Sequence, residues 1–218
     1  MHRADDWEGS SISLHDTRLN FVLGALLNSG AKTVLDLGCG SGTLLKRALI
    51  QQQFLRIVGV EVSGQALAVA RRELASHIDS DRGRLSLING SYLVEDSRLH
   101  GFDAAALVET IEHVDPRRLS LLENTLFAMY RPSTVVVTTP NKEYNVLYGL
   151  SDNEVRDPDH QFEWSRLKFR SWAARIGRQH GYRVIYGNIG ESHPVFGSPT
   201  QAARFTRVDH YSTCRYAD

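Results

Sequence analysis

Glu109-Thr110-Ile111-Glu112-His113 sets two carboxylates and an imidazole side by side. An apolar run, Ala104 to Val108, precedes them and reads as a buried strand. They therefore fall at a strand's C-terminal end, where open α/β sheets bind their ligands. A second polar cluster, Asp159-His160-Gln161-Phe162-Glu163-Trp164, adds a histidine from a distant loop. Two Glu and two His converging on one pocket make a site for a divalent cation of the harder kind. A third group is Asp36-Leu37-Gly38-Cys39-Gly40-Ser41-Gly42. Glycines at that spacing let a ligand approach the backbone, because a Cβ would stand in its way. A carboxylate directly before the loop suits a cationic amino acid better than a phosphate. Glu61 closes the next strand pattern, where an acid can grip both hydroxyls of a ribose.

The elements that must carry these groups alternate. Residues 14–28 predict a helix with Leu19, Val22, Leu23, Leu26 and Leu27 on one face. Strands are expected at 32–37, 56–60, 84–88, 103–108 and 133–138, the last a β-branched run. Helices are expected at 43–52, from an N-cap at Ser63 to about His77, and from Pro116 to Met129. The alternation predicts a doubly wound, mostly parallel sheet. Residues 140–162 read as a loop with a short helix. A helix follows from Ser165, and 182–187 and 200–206 read as two closing strands around a loop at 190–199.

The 218 residues suit one domain, and 42% apolar with 23% charged residues is ordinary for a globular chain. With 25 basic and 25 acidic residues the formal charge is zero, so no global footprint for nucleic acid exists, only room for a local one. Arg166, Lys168, Arg170, Arg175, Arg178 and Arg183 supply one in a stretch without acids, Trp164 to Arg183. The two cysteines, Cys39 and Cys214, form no disulfide framework, which predicts a reducing, cytoplasmic setting. The apolar runs are too short to span a bilayer, and the acidic first residues do not read as a signal peptide.

The glycine loop with its two acids resembles class I S-adenosylmethionine-dependent methyltransferases, a Rossmann-like fold with a seven-stranded sheet. The resemblance implies that Asp36, Gly38, Gly40, Glu61, Ser63, Ser91 and Glu109 bind S-adenosylmethionine, which leaves as S-adenosylhomocysteine. Asn89-Gly90-Ser91-Tyr92 stands where that family contacts adenine. Glu109-x-x-Glu112-His113, then Thr138-Thr139-Pro140-Asn141-x-Glu143-Tyr144-Asn145, then the Asp159–Trp164 cluster, together resemble the HEN-type methyltransferases. These act on the 2′-hydroxyl of the 3′-terminal ribose of small RNAs. The likeness runs over residues 14–207 or so and implies a methyltransferase domain at 13–208, an N-terminal arm at 1–12 and a C-terminal tail at 209–218. It also implies Glu109, Glu112, His113 and His160 as ligands of one metal ion, Mn²⁺ or Mg²⁺. Arg18, Asn141, Arg166, Lys168 and Arg170 are the candidate RNA contacts.

A ribose hydroxyl is a poor nucleophile, and a divalent cation holding it lowers its pKa and fixes its direction. Chelation by both terminal oxygens requires an RNA 3′ end with free 2′- and 3′-hydroxyls. His113, His160 or solvent then takes the proton. The compact chain resembles the bacterial form, whose partner is an RNA end-healing and ligating enzyme. Two other readings compete: a metal-dependent O-methyltransferase for small catechol-like diols, and a non-catalytic activator of an RNA ligase.

Overall fold

The computed structural model describes residues 13–80 and 83–208. The expected arm, the expected tail and Cys214 lie outside the described residues. Ser13 caps α1 (Leu14–Asn28) by accepting from the Asp16 N–H. β1 (Thr33–Leu37), α2 (Thr43–Leu49) and β2 (Arg56–Glu61) follow. α3 (Gly64–Glu73) is capped by Ser63, and α4 (Ala75–Ser80) succeeds it. The single helix expected there breaks at Leu74, whose φ of −109° and ψ of 11° leave the helical region. β3 (Leu85–Asn89) and β4 (Ala104–Val108) come next.

The helix expected at Pro116–Met129 is three hydrogen-bonding patterns in series. A 3₁₀ turn at Pro116–Arg118 leads to α5 (Leu119–Glu123), then to a wide π turn, Asn124–Tyr130. The Arg131 N–H, at φ 46°, closes it on the Leu126 carbonyl five residues back, at 3.0 Å. β5 (Thr134–Pro140), α6 (Arg166–His180), β6 (Tyr182–Ile189) and β7 (Thr200–Arg207) follow among the described residues.

The seven strands run in the order β3-β2-β1-β4-β5-β7-β6. The first five are parallel, and β7 is antiparallel to both its neighbours. Strand alternation divides the core. Val34, Ile57, Ala104, Ala106 and Val136 face α1, α2 and α3; Leu35, Val58, Ala105, Val135 and Val137 face α6 and the α5 segment. Among the described residues no helix is long and apolar enough to cross a membrane. The chain winds in opposite directions from β1 and β4, and the C-terminal ends of these neighbours flank the crevice where such sheets take ligands.

Candidate active site

A cleft of about 500 Å³ opens at that crevice. Asp36, Gly38, Gly40, Glu61, Ser63, Glu109 and His113 all line it, as do His15, Tyr92, Thr110 and Asp159. Gly38 stands at φ +81°, and a Cβ there would come within 2.6 Å of the Thr110 side chain, so only glycine fits. Glu61 organises the loop from the next strand: its Oε2 accepts from the Gly40 N–H at 2.9 Å and its Oε1 from the Ser63 N–H at 2.8 Å. Asp36 is fully enclosed, and its Oδ2 has no hydrogen-bond partner among the described residues. Burial first, and the Glu61 charge second, push its carboxyl up to about 7. Ser91, expected at the cofactor, does not line the cleft. Its hydroxyl accepts from the Leu93 N–H at 3.2 Å in a local turn, and its neighbour Tyr92 reaches the cleft instead.

Beside the cleft, ligand atoms of Glu112, His113 and His160 lie within 4.8 Å of one another. The loop bearing His160 is stitched to the segment after β4: the Gln161 N–H donates to the Glu112 carbonyl at 2.8 Å. His113 Nδ1 meets the Asp159 carbonyl at 3.2 Å, and His160 Nδ1 meets Glu163 Oε1 at 2.6 Å. Both partners are acceptors, so each Nδ1 carries a hydrogen and directs Nε2 toward the other donors. The Glu112 side chain is wholly buried; its Oε2 accepts from the Thr139 hydroxyl at 2.9 Å, while Oε1 has no partner among the described residues. Burial and then the Glu109 charge raise its carboxyl well above the usual range. Buried acceptors without donors, with two imidazole lone pairs, form a set that suits a divalent cation.

Glu109 stands outside this cluster. Its Oε2 pairs with Arg18 Nη2 at 3.0 Å, and its backbone holds a strained φ of 50°. Burial raises its carboxyl, against the opposing pull of Arg18. The structure thus brings three of the four expected ligands together and holds the fourth nearby on an arginine.

Glu163 and Asn145, given no role of their own within their motifs, and Arg156, unnamed there, hold His160 in place. Glu163 Oε1 also accepts from the Arg156 N–H at 2.9 Å, and its Oε2 from Asn145 at 2.5 Å. Arg156 donates onward to the Asn145, Pro199 and Asn141 oxygens. The three-residue step from His160 to Glu163 was the available signal. Three candidate RNA contacts are occupied internally, Arg18 among them on Glu109 and the Thr200 hydroxyl. Asn141 is buried with its amide on the Phe196 and Ser198 carbonyls, and Arg166 grips Glu143 and the Val195 carbonyl. Lys168 and Arg170 are exposed, over the rings of Trp164 and Tyr186.

The family model described as a methyltransferase domain matches residues 35–135. The solved methyltransferase domain of bacterial CtHen1 is 42% identical, with a TM-score of 0.82 over 90% of this chain and 100% of that one. The small RNA 2′-O-methyltransferase of Mus musculus is 34% identical over 89% of this chain, and that of Arabidopsis thaliana 32% over 89%. The chain spans 51% of the mouse protein and 22% of the plant one. The fold alone would tie it only to methyltransferases at large, but two residues in five agree along the entire bacterial domain, and on that ground the chain belongs to the Hen1 methyltransferase family.

Proposed function

We propose that this chain transfers the methyl group of S-adenosylmethionine to the 2′-hydroxyl of the 3′-terminal ribose of an RNA, with one Mn²⁺ or Mg²⁺ at Glu112, His113, His160 and Glu109. The observation that carries this reading is the convergence of Glu112, His113 and His160 at the rim of a cleft built on the glycine loop. The names of its relatives support the same substrate. Residues 13–208 form the catalytic unit, and an RNA end-healing and ligating enzyme is its proposed partner.

Asp36 holds the amino group of the methionine moiety, and Glu61 the ribose hydroxyls. S-adenosylmethionine supplies a methyl already activated on a sulfonium, so the chain's main task is alignment. Glu112, His113, His160 and Glu109 would hold the cation, which would supply the positive charge that lowers the pKa of the ribose hydroxyl. Glu163 and the Asp159 carbonyl keep the two Nε2 lone pairs directed, and the hydroxyl proton leaves to solvent. Two imidazoles make Mn²⁺ the tighter ligand partner.

Labelled methyl transfer to RNAs differing only in the 3′-terminal sugar tests the reading. A 2′,3′-diol end should be methylated and a 2′-deoxy end should give no terminal product. A 3′-deoxy or 3′-phosphate end should be poor, and exhaustive chelation should stop transfer until Mn²⁺ is restored. Efficient methylation of the 3′-phosphate RNA, or full activity under chelation, would sink the diol-chelating mechanism.

Cofactor binding should depend on pH through Asp36. The cationic amino group needs a carboxylate, so affinity for S-adenosylmethionine should fall as pH drops through about 7. Stability without cofactor should move oppositely. The folded carboxyl titrates above its unfolded value, so this group's contribution grows as pH falls from about 7 and is lost as pH rises. Asp36→Asn should flatten that stability slope and weaken the cofactor most above pH 7, the two proteins converging on acidification. Calorimetric titration and thermal melts read the two effects; unchanged affinity in the variant would remove Asp36 from the site.

A further inference from the structure

We infer that Arg18 is a positioning residue that competes with the cation site for Glu109, so that an arriving divalent ion must take Glu109 from the guanidinium. This rests on the reading of Glu112, His113 and His160 as metal donors.

Glu109 has the chemistry of a fourth donor but stands outside the cluster of three. What holds it there is visible. Arg18 reaches from α1 across the end of β4, its Nη2 divided between Glu109 Oε2 at 3.0 Å and Thr200 Oγ1 at 3.1 Å. Both side chains are largely enclosed, 12% and 18% exposed. In that setting two carboxylates three residues apart need a positive charge, and Arg18 supplies one.

The hold is built to be released. Arg18 makes a one-point contact instead of the two-pronged fork that strengthens arginine–carboxylate pairs. Arg18 Nε and Glu109 Oε1 are both buried without hydrogen-bond partners among the described residues. The backbone at Glu109 is meanwhile fixed, its N–H donating to the Thr138 carbonyl at 3.2 Å and hydroxyl at 3.1 Å. Exchange therefore needs only side-chain torsions. A doubly charged ion with three waiting donors is a stronger partner for that carboxylate than one guanidinium edge.

The two possible roles of Arg18 predict opposite signs. A residue that merely supports the site would weaken metal binding when removed. A competitor for Glu109 would strengthen it. Mn²⁺ titration of Arg18→Met, by calorimetry and by electron paramagnetic resonance of the free ion, is expected to give about a tenfold lower Kd than the unaltered protein. Arg18→Lys, which retains the charge, should stay near the unaltered value. In a Glu109→Gln background, Arg18→Met should lose most of its effect. Circular dichroism and melting curves establish that each variant folds.

A measurement on the unaltered protein runs in parallel. The guanidinium NMR resonances of Arg18 should shift from ion-paired toward free values as Mg²⁺ saturates the site. Equal or weaker Mn²⁺ binding by a folded Arg18→Met, or Arg18 resonances that stay fixed at saturation, would overturn the exchange. Failure of the reading beneath it looks different: the unaltered protein would bind no Mn²⁺, or bind it equally after His160→Ala.

Discussion

Replacing His160 with alanine is expected to lower single-turnover methylation of a 2′,3′-diol RNA by at least about a hundredfold. Affinity for S-adenosylmethionine should remain at the unaltered value. The separation follows from position. The glycine loop and Glu61 form one wall of the cleft, whereas His160 stands in the cluster beside it and does not line the cleft. Its ring is fixed by one charge-assisted hydrogen bond, Nδ1 to Glu163 Oε1 at 2.6 Å, and the Glu163 side chain is fully enclosed. Glu163→Gln should therefore behave as a milder copy, losing roughly 10- to 100-fold in Mn²⁺ affinity because Nε2 is no longer aimed. Stopped single-turnover assays with matched oligonucleotides, beside calorimetry with the cofactor, read both. Near-normal rates without His160, or loss of cofactor binding in step with activity, would remove His160 from the chemistry.

Much of the frame was legible because it depends on local pattern. Ser13, Ser63 and Ser165 mark helix starts by one mechanism, a hydroxyl accepting from an N–H three residues on. The β-branched run from Thr134 can satisfy a strand buried on both faces and little else. What escaped depends on partners distant in sequence. β6 runs past its apolar stretch to Ile189 because each of its residues pairs with β7, including exposed ones. The π turn after α5 has no local signature in Asn124–Tyr130.

The site shows the same division. Glu109, Glu112 and His113 share one strand end, so their spacing announced them. Glu163 was visible only as a member of its polar cluster; that it aims His160 depends on the fold enclosing it against His160, Asn145 and Arg156. Asn141 and Arg166 looked free to meet RNA because sequence shows a donor but not its acceptor; here the acceptors are internal carbonyls and Glu143. Ser91 and Tyr92 differ only in which of two adjacent side chains a turn directs inward, a choice made by backbone torsions.

The last prediction sets stability against function at Glu112. Glu112→Gln should abolish methylation and yet raise the melting temperature of the metal-free protein. In the unaltered chain a wholly buried carboxyl has one hydrogen bond, from Thr139, and one oxygen without a partner, with Glu109 nearby. Folding at neutral pH then either buries a charge or binds a proton, and each costs free energy. A glutamine carbonyl can still accept from Thr139 and carries no charge. The gain should be about 1–2 kcal/mol, or roughly 2–8 °C in a chain of this size. The sign of the pH dependence checks the cause. Because the Glu112 carboxyl titrates above its unfolded value, its contribution grows on acidification and fades as pH rises through the folded pKa, so the advantage of glutamine should be larger at pH 8 than at pH 5. Metal reverses the ranking: Mn²⁺ should raise the melting temperature of the unaltered protein and leave Glu112→Gln nearly unmoved. Differential scanning calorimetry at both pH values, with chelator and with Mn²⁺, decides the matter. A destabilised Glu112→Gln would mean that the carboxylate holds the fold together, and equal Mn²⁺ stabilisation of both proteins would take Glu112 out of the ion's donor set.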